Sequence, residues 1–172
     1  MKNLFKLLGL LLLSFSLTNS IYAQVGYIQP SPTSPDDEVT LFIDINQSQD
    51  GLQNNALSAM LDVMPDTTHV YLWAWNPSSP MAGNGEWTAS NEAMKLNRIG
   101  PKLYSMTFVP TEFFDIEGAE LYASGISCLA KLKDGSPIDG FEGEPKTEDL
   151  YIPIVPKLCD EVICVFPEVR RA

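Results

Sequence analysis

Histidine is almost absent from this chain of 172 residues, and His69 is the only one. A Ser-His-Asp triad would have to be built on it, yet no serine sits in the GxSxG setting that presents a nucleophile. His69 reads instead as a surface residue at the start of a strand. HExxH, P-loop and GxGxxG motifs are all missing, and no acidic run fits the EF-hand pattern. Basic residues are scarce too: 11 Lys and Arg face 22 Asp and Glu, for a net charge of −11. That balance argues against nucleic acid, whose binders need a basic face, and against anionic membrane surfaces. Acidic neighbours do occur, at Asp36-Asp37-Glu38, Glu142 with Glu144, and Glu148-Asp149. Glycosidase chemistry needs two carboxylates at a defined separation across one bond. With acids this common no pair stands out, and they read as solvated surface. The expectation is a protein that is not an enzyme and needs no cofactor or metal.

Long apolar runs are confined to the N-terminus. Residues 1–23 carry Lys2 and Lys6, an apolar stretch from Leu7 to Leu17, and Ile21-Tyr22-Ala23 with a small residue at the cut. This is the layout of a secretory signal peptide, and its apolar run is shorter than the roughly 20 residues that span a bilayer. No membrane span is expected in the mature chain, and no cysteine follows the cut to carry a lipid. Two of the 11 basic residues lie in the leader, so the rest sets nine against 22, a net of −13. The expected location is secreted, periplasmic or extracellular, in a bacterial host. In that oxidising compartment Cys159 and Cys164 are expected to pair across the short CDEVIC loop. Cys128 alternates with Ile126, Ala130 and Leu132 and reads as a buried, inert thiol. A lone CxxxxC, with no second cysteine pair and no histidine beside it, is a weak metal signal.

The remaining 149 residues fit one domain. With 45% apolar residues they can bury a core. Residues 24–37 hold several prolines and read as an extended entry segment. From 38 to 155 the pattern is one of short strands. Val39, Leu41, Ile43 and Ile45 alternate over 38–45. A second strand is predicted over 68–75, strands over 92–99 and 102–109 form a hairpin around Gly100-Pro101, and further strands are predicted at 125–133 and 149–155. In the last, Leu150, Ile152 and Ile154 share a face, and Pro153 points to an edge position. Short helical turns are predicted at 55–64, ended by Pro65, and within 110–124, where Thr111 can cap a turn carrying Phe113, Phe114 and Leu121. The fold class expected is all-β: an antiparallel β-sandwich with short helical turns. Residues 156–172 form a C-terminal tail, a candidate linker to a further module in a larger multidomain or surface assembly.

The informative stretch is HVYLWAWNPSSPMAGNGEW. In strand 68–75, Val70, Leu72 and Ala74 share one face, and Tyr71, Trp73 and Trp75 share the other. Every other strand sends medium aliphatic residues to one face. By analogy Val70, Leu72 and Ala74 point inward, leaving the aromatics outside. Neighbours on one face lie about 6.6–6.8 Å apart, a spacing suited to sugar rings, whose C–H faces stack on flat apolar side chains with polar tips. Trp87 follows a Gly-rich loop and can complete such a platform. The opposing reading is that these rings are core, since sandwich domains often bury a Trp. An exposed row would be a large apolar patch, which normally marks a binding site.

An aromatic pair at i and i+2 on a strand, a loop, and a Trp a dozen positions on resembles the starch-binding modules appended to bacterial amylases. Met94 after Trp87, the strand opening Lys102-Leu103-Tyr104, the turn Asp134-Gly135 and the Lys146-Thr147-Glu148-Asp149-Leu150 start of the last strand are similar as well. The chain also resembles immunoglobulin-like, early-set domains of Bacteroidetes-type secreted proteins, over about residues 36–155. The resemblance implies an immunoglobulin-like (early-set) sandwich. Its partner would be a polysaccharide or cell-surface glycan, with α-glucan among the candidates, stacked on Trp73, Trp75 and Trp87 with Tyr71 in reserve. The stretch PTEFFDIEGAELYAS is longer than such modules usually have before the penultimate strand, and the segment just before Thr147 lacks the glutamine such modules often place there. The rival expectation is a structural or adhesive spacer of the same fold with its aromatics buried.

Overall fold

The computed structural model describes residues 24–157. The leader and the expected Cys159–Cys164 bridge lie outside the described residues. Among the described residues nine strands run in the order β1 (Gly26–Gln29), β2 (Val39–Asp44), β3 (Val70–Asn76), β4 (Gly85–Glu86), β5 (Ala89–Ser90), β6 (Asn97–Gly100), β7 (Leu103–Phe108), β8 (Ile126–Leu132) and β9 (Leu150–Ile152). Three short α-helices accompany them among the described residues, α1 (Leu57–Val63), α2 (Pro110–Phe114) and α3 (Gly118–Ser124), together with short 3-10 turns. One antiparallel sheet has the order β1-β2-β7-β6, a second has the order β3-β8-β9, and β4 and β5 make a separate hairpin.

Alternation fixes which face each strand buries. In β2 Val39, Leu41 and Ile43 are buried, and across the sheet β7 adds Tyr104 and Met106. From the second sheet Val70, Leu72, Ala74, Ile126, Cys128, Ala130, Leu150 and Ile152 join the same apolar cluster. A period-2 strand with one aliphatic face has one way to bury it, which pins the register. Val70 stands opposite Leu132 and Leu72 opposite Ala130. Cys128 is fully buried, and burial pushes its thiol up to about 12.

The entry segment does more than approach the domain. Gly26–Gln29 pairs with β2, from Gly26 opposite Ile43 to Gln29 opposite Thr40. Gly26 also lets the first sheet meet the edge of the second, since a side-chain carbon there would lie 3.1 Å from Leu150 Cδ1 and 3.2 Å from Ile152 Cδ1. Sequence alternation predicts a strand over 92–99, but Glu92–Met94 is a 3-10 turn and β6 starts only at Asn97. Asn91 explains the difference, because its side chain accepts from Ala93 N and caps the turn.

Helix α1 buries Leu57 and Met60 and ends before Pro65. Asp50 accepts from Ser58 N and Ala59 N at 3.2 and 2.9 Å, which satisfies donors of its first turn from a distance. Helix α2 opens on Pro110 and closes at Asp115 in the left-handed region. Phe113 stacks on Phe108 at 4.3 Å between ring centroids, and Phe114 and Leu121 sink into the core. No helix among the described residues is long and apolar enough to cross a membrane.

Candidate functional site: the outer face of the three-stranded sheet

Strand β3 buries Val70, Leu72 and Ala74 completely on its core side. Tyr71, Trp73 and Trp75 occupy the alternate positions. They do not form one exposed row. The chain from 77 to 96 folds back over this face, and each ring meets a different environment.

The fold-back is secured at the free edge of β3. Asn84 is buried there, and its side chain imitates a neighbouring strand. Its Oδ1 accepts from Ala74 N at 3.0 Å, and its Nδ2 donates to Ala74 O at 2.7 Å. Two more main-chain bonds close the cover, Ser90 N to Lys133 O and Leu96 N to Val70 O, each about 3 Å. Trp87 is thereby laid over the sheet. Its Nε1 donates to Gly135 O at 3.0 Å while Gly135 N donates back to Trp87 O at 2.9 Å. Gly135 has to be glycine on packing grounds alone. A side-chain carbon there would come within 2.5 Å of the Trp87 ring and 2.8 Å of Lys131 Cε.

Lys131 lies between the indoles. It stands opposite Tyr71 on β8 and is fully buried. Its ammonium lies 5.5 Å from the Trp73 ring centroid and 4.9 Å from that of Trp87. The two rings meet edge to face at 5.2 Å and 79°. All three ammonium protons have acceptors, with Nζ donating to Ser90 Oγ, Leu132 O and Lys133 O at 2.8, 2.8 and 3.0 Å. Burial still wins and pulls Lys131 down to about 8, against a smaller upward pull from Asp134. The hydrogen bonds and ring faces explain how a charge survives there at all.

Tyr71 is 1% exposed. Its hydroxyl donates to Glu92 Oε1 at 3.1 Å, and Glu92 is also held by Lys133. That Lys133 hydrogen bond is the main reason Glu92 is held below the usual carboxylate range, and burial is the main reason Tyr71 is raised. Tyr71, Trp73, Trp87 and Lys131 therefore form one packed cluster, with Tyr71 and Lys131 buried and the two indoles half-buried. Tyr71 has no free face for a ligand, and Trp73 and Trp87 give theirs largely to each other and to Lys131.

Trp75 is the exception. It is 39% exposed, and it sits at an irregularity where Ala74 pairs with Cys128 but Asn76 pairs with Ser127. The extra residue on β3 is Trp75, and a bulge of this kind turns a side chain out of the regular row. Across β8 the next strand presents Tyr151, 57% exposed between buried Leu150 and Ile152. Sequence reasoning passes over Tyr151 and Lys131. The alternation that sends Leu150 and Ile152 inward is enough to find the tyrosine. The lysine carries no such signal, because a charged residue at an outward strand position reads as solvated.

A separate open groove of about 580 Å³ lies past the other end of β3, lined mainly by Met64, Pro65, Leu132, Pro137 and Ile138 with His69 and Tyr71. Of its charged groups, Lys133 holds Glu92, and Asp134 Oδ1 accepts from Ser136 N at 2.8 Å. The groove thus has apolar walls but few polar groups free to orient a ligand. Among the described residues no group of three or more His, Cys, Asp or Glu is arranged to hold a metal ion. Comparison with protein-family models, with curated proteins and with solved structures finds no match to this chain.

Proposed function

We propose that this chain is a secreted, non-catalytic glycan-binding module on an immunoglobulin-like, early-set β-sandwich, and that it takes neutral polysaccharide, with α-glucan the first candidate, by aromatic stacking. The observation that carries this reading is Trp75, a large indole exposed on a sheet face whose neighbouring aromatics are engaged with protein. The cluster of Trp73, Trp87 and Lys131 packs its rings and ammonium against one another, which leaves Trp75 as the most exposed indole of this face. An indole supplies a flat apolar surface with a polar edge, which suits the C–H face of a pyranose.

The test is retention of the mature chain on insoluble starch and a panel of other polysaccharides, beside Trp75→Ala and a melting curve for each. The reading expects the parent to be retained, and Trp75→Ala to lose retention while melting normally. Failure of the parent to bind any glycan would refute it. The second reading, a structural or adhesive spacer, is favoured by one observation: three of the four aromatics of the expected platform are engaged with protein. It expects no glycan retention by any variant.

A further inference from the structure

We infer that the binding strip crosses the strands, from Trp75 on β3 over Ser127 on β8 to Tyr151 on β9, and that its ligand is a neutral chain of at least two pyranose rings. This rests on the glycan-binding reading and gives it a direction and a second aromatic.

The strand register brings the strip together. Ser127 pairs with Asn76 on one side and with Tyr151 on the other, and the bulged Trp75 adjoins the same row. Adjacent strands lie about 4.8 Å apart, so the Trp75 and Tyr151 backbones stand about 10 Å from each other with only a serine between them. That leaves a shallow trough between two exposed aromatics. A single sugar ring covers one aromatic, and a ligand reaching both needs a second ring.

The Tyr151 ring has a defined seat. A side-chain carbon on Gly125 would fall 2.8 Å from Tyr151 Cε2 and 2.9 Å from Cζ, so the ring lies directly over that residue. Gly125 also has φ +61°, in the region glycine tolerates best. The ring therefore rests on main chain. On the β3 side Asn76 Nδ2 donates to Ser124 O at 3.1 Å, tying the end of β3 to the same corner.

Charge selects the ligand class. In a sequence with 22 acidic residues, the strip of Trp75, Asn76, Ser127 and Tyr151 has no acid and no base. Two rings, a hydroxyl and an amide match a neutral polyol. They offer nothing to bind a phosphate, a sulfated sugar or a peptide carboxylate.

The experiment is calorimetric titration of the mature chain with glucose and with a linear gluco-oligosaccharide of seven rings, for the parent, Trp75→Ala, Tyr151→Ala, Tyr151→Phe and Ser127→Leu. The parent should bind the oligosaccharide far more tightly than glucose. Tyr151→Ala should weaken the oligosaccharide roughly tenfold, as expected for one lost stacked ring, and weaken glucose far less, because Trp75 still offers a ring to a single sugar. Tyr151→Phe, which keeps the ring, should retain most of the affinity that Tyr151→Ala loses, and Ser127→Leu should weaken the oligosaccharide by filling the trough. Melting curves verify folding, and Tyr151→Phe reports on the ring independently of any loss of fold in the alanine variant. If Trp75→Ala abolishes binding while Tyr151→Ala and Ser127→Leu bind as the parent does, the cross-strand strip is overturned and the glycan reading stands. If the parent binds no glycan, both fall.

Discussion

Raising the pH from 7 to 9 should stabilise this protein, and Lys131→Met should abolish the gain. Lys131 is at about 8 in the folded chain, against an ordinary value of 10.5. Between those values the unfolded state binds more protons than the folded one, so stability rises with pH, by up to about 1.4 kcal/mol per pH unit. From pH 7 to 9 the Lys131 gain integrates to about 1.3 kcal/mol. Cys128 acts in the opposite direction. Its thiol is raised from 9.0 to about 12, so above pH 9 the unfolded chain loses that proton first and stability falls. By pH 9 this offset is about 0.4 kcal/mol, leaving a net gain of about 1 kcal/mol, or roughly 3 °C in Tm for a domain of this size. Between about pH 9 and 10 the two effects nearly cancel. Above 10 the raised tyrosines Tyr71 and Tyr104 add to the decline. Methionine at 131 keeps the length and the contact with both indoles but has no proton to lose. Its hydrogen-bond losses are partly offset by relief of the desolvation cost, about 3 kcal/mol for an ammonium brought from 10.5 down to about 8. The assay is thermal unfolding at pH 7, 8 and 9 for parent and variant. A parent Tm that does not rise, or a Lys131→Met protein that rises equally, would refute the assignment of Lys131 as a buried charge.

Trp73→Ala and Trp87→Ala should each cost about 3 kcal/mol of stability, as truncation of packed aromatics does, while exposed Trp75→Ala should cost under about 1 kcal/mol; urea unfolding separates them. Gly135→Ala should destabilise by about 1–3 kcal/mol through overpacking against Trp87 and Lys131 Cε, read in the same assay. Thiol titration of exported protein should find no reactive group until unfolding exposes Cys128; two native thiols would contradict the expected Cys159–Cys164 bridge, and one or three would contradict the burial of Cys128. Intact mass of that protein should correspond to a chain starting at Gln24, and a retained leader would contradict the signal-peptide reading.

The strand framework is readable because its strands obey a simple period. Val39, Leu41 and Ile43 can face only one way, as can Val70, Leu72 and Ala74. The strand at 26–29 is obscured because Pro30, Pro32 and Pro35 follow it closely, and Gly26 contributes no side chain to the pattern. What lies over the aromatics is not readable at all. Asn84 mimicking a strand, Trp87 exchanging two hydrogen bonds with Gly135, and Lys131 held between rings are all contacts between distant parts of the chain. Local pattern treats Asn84 and Lys131 as ordinary polar residues. The site is legible to the extent that alternation sets a face, and illegible where a loop decides which part of that face stays open.

Glycan binding at Trp75 is best followed through the three indole N–H signals of the chain, one for each tryptophan, by NMR during titration with the seven-ring gluco-oligosaccharide. The Trp75 signal should shift and saturate, while Trp87, whose Nε1 is bonded to Gly135 O, and Trp73 stay in place. Saturable shifts at Trp73 or Trp87 with Trp75 unmoved, or no shift at any of the three, would contradict it.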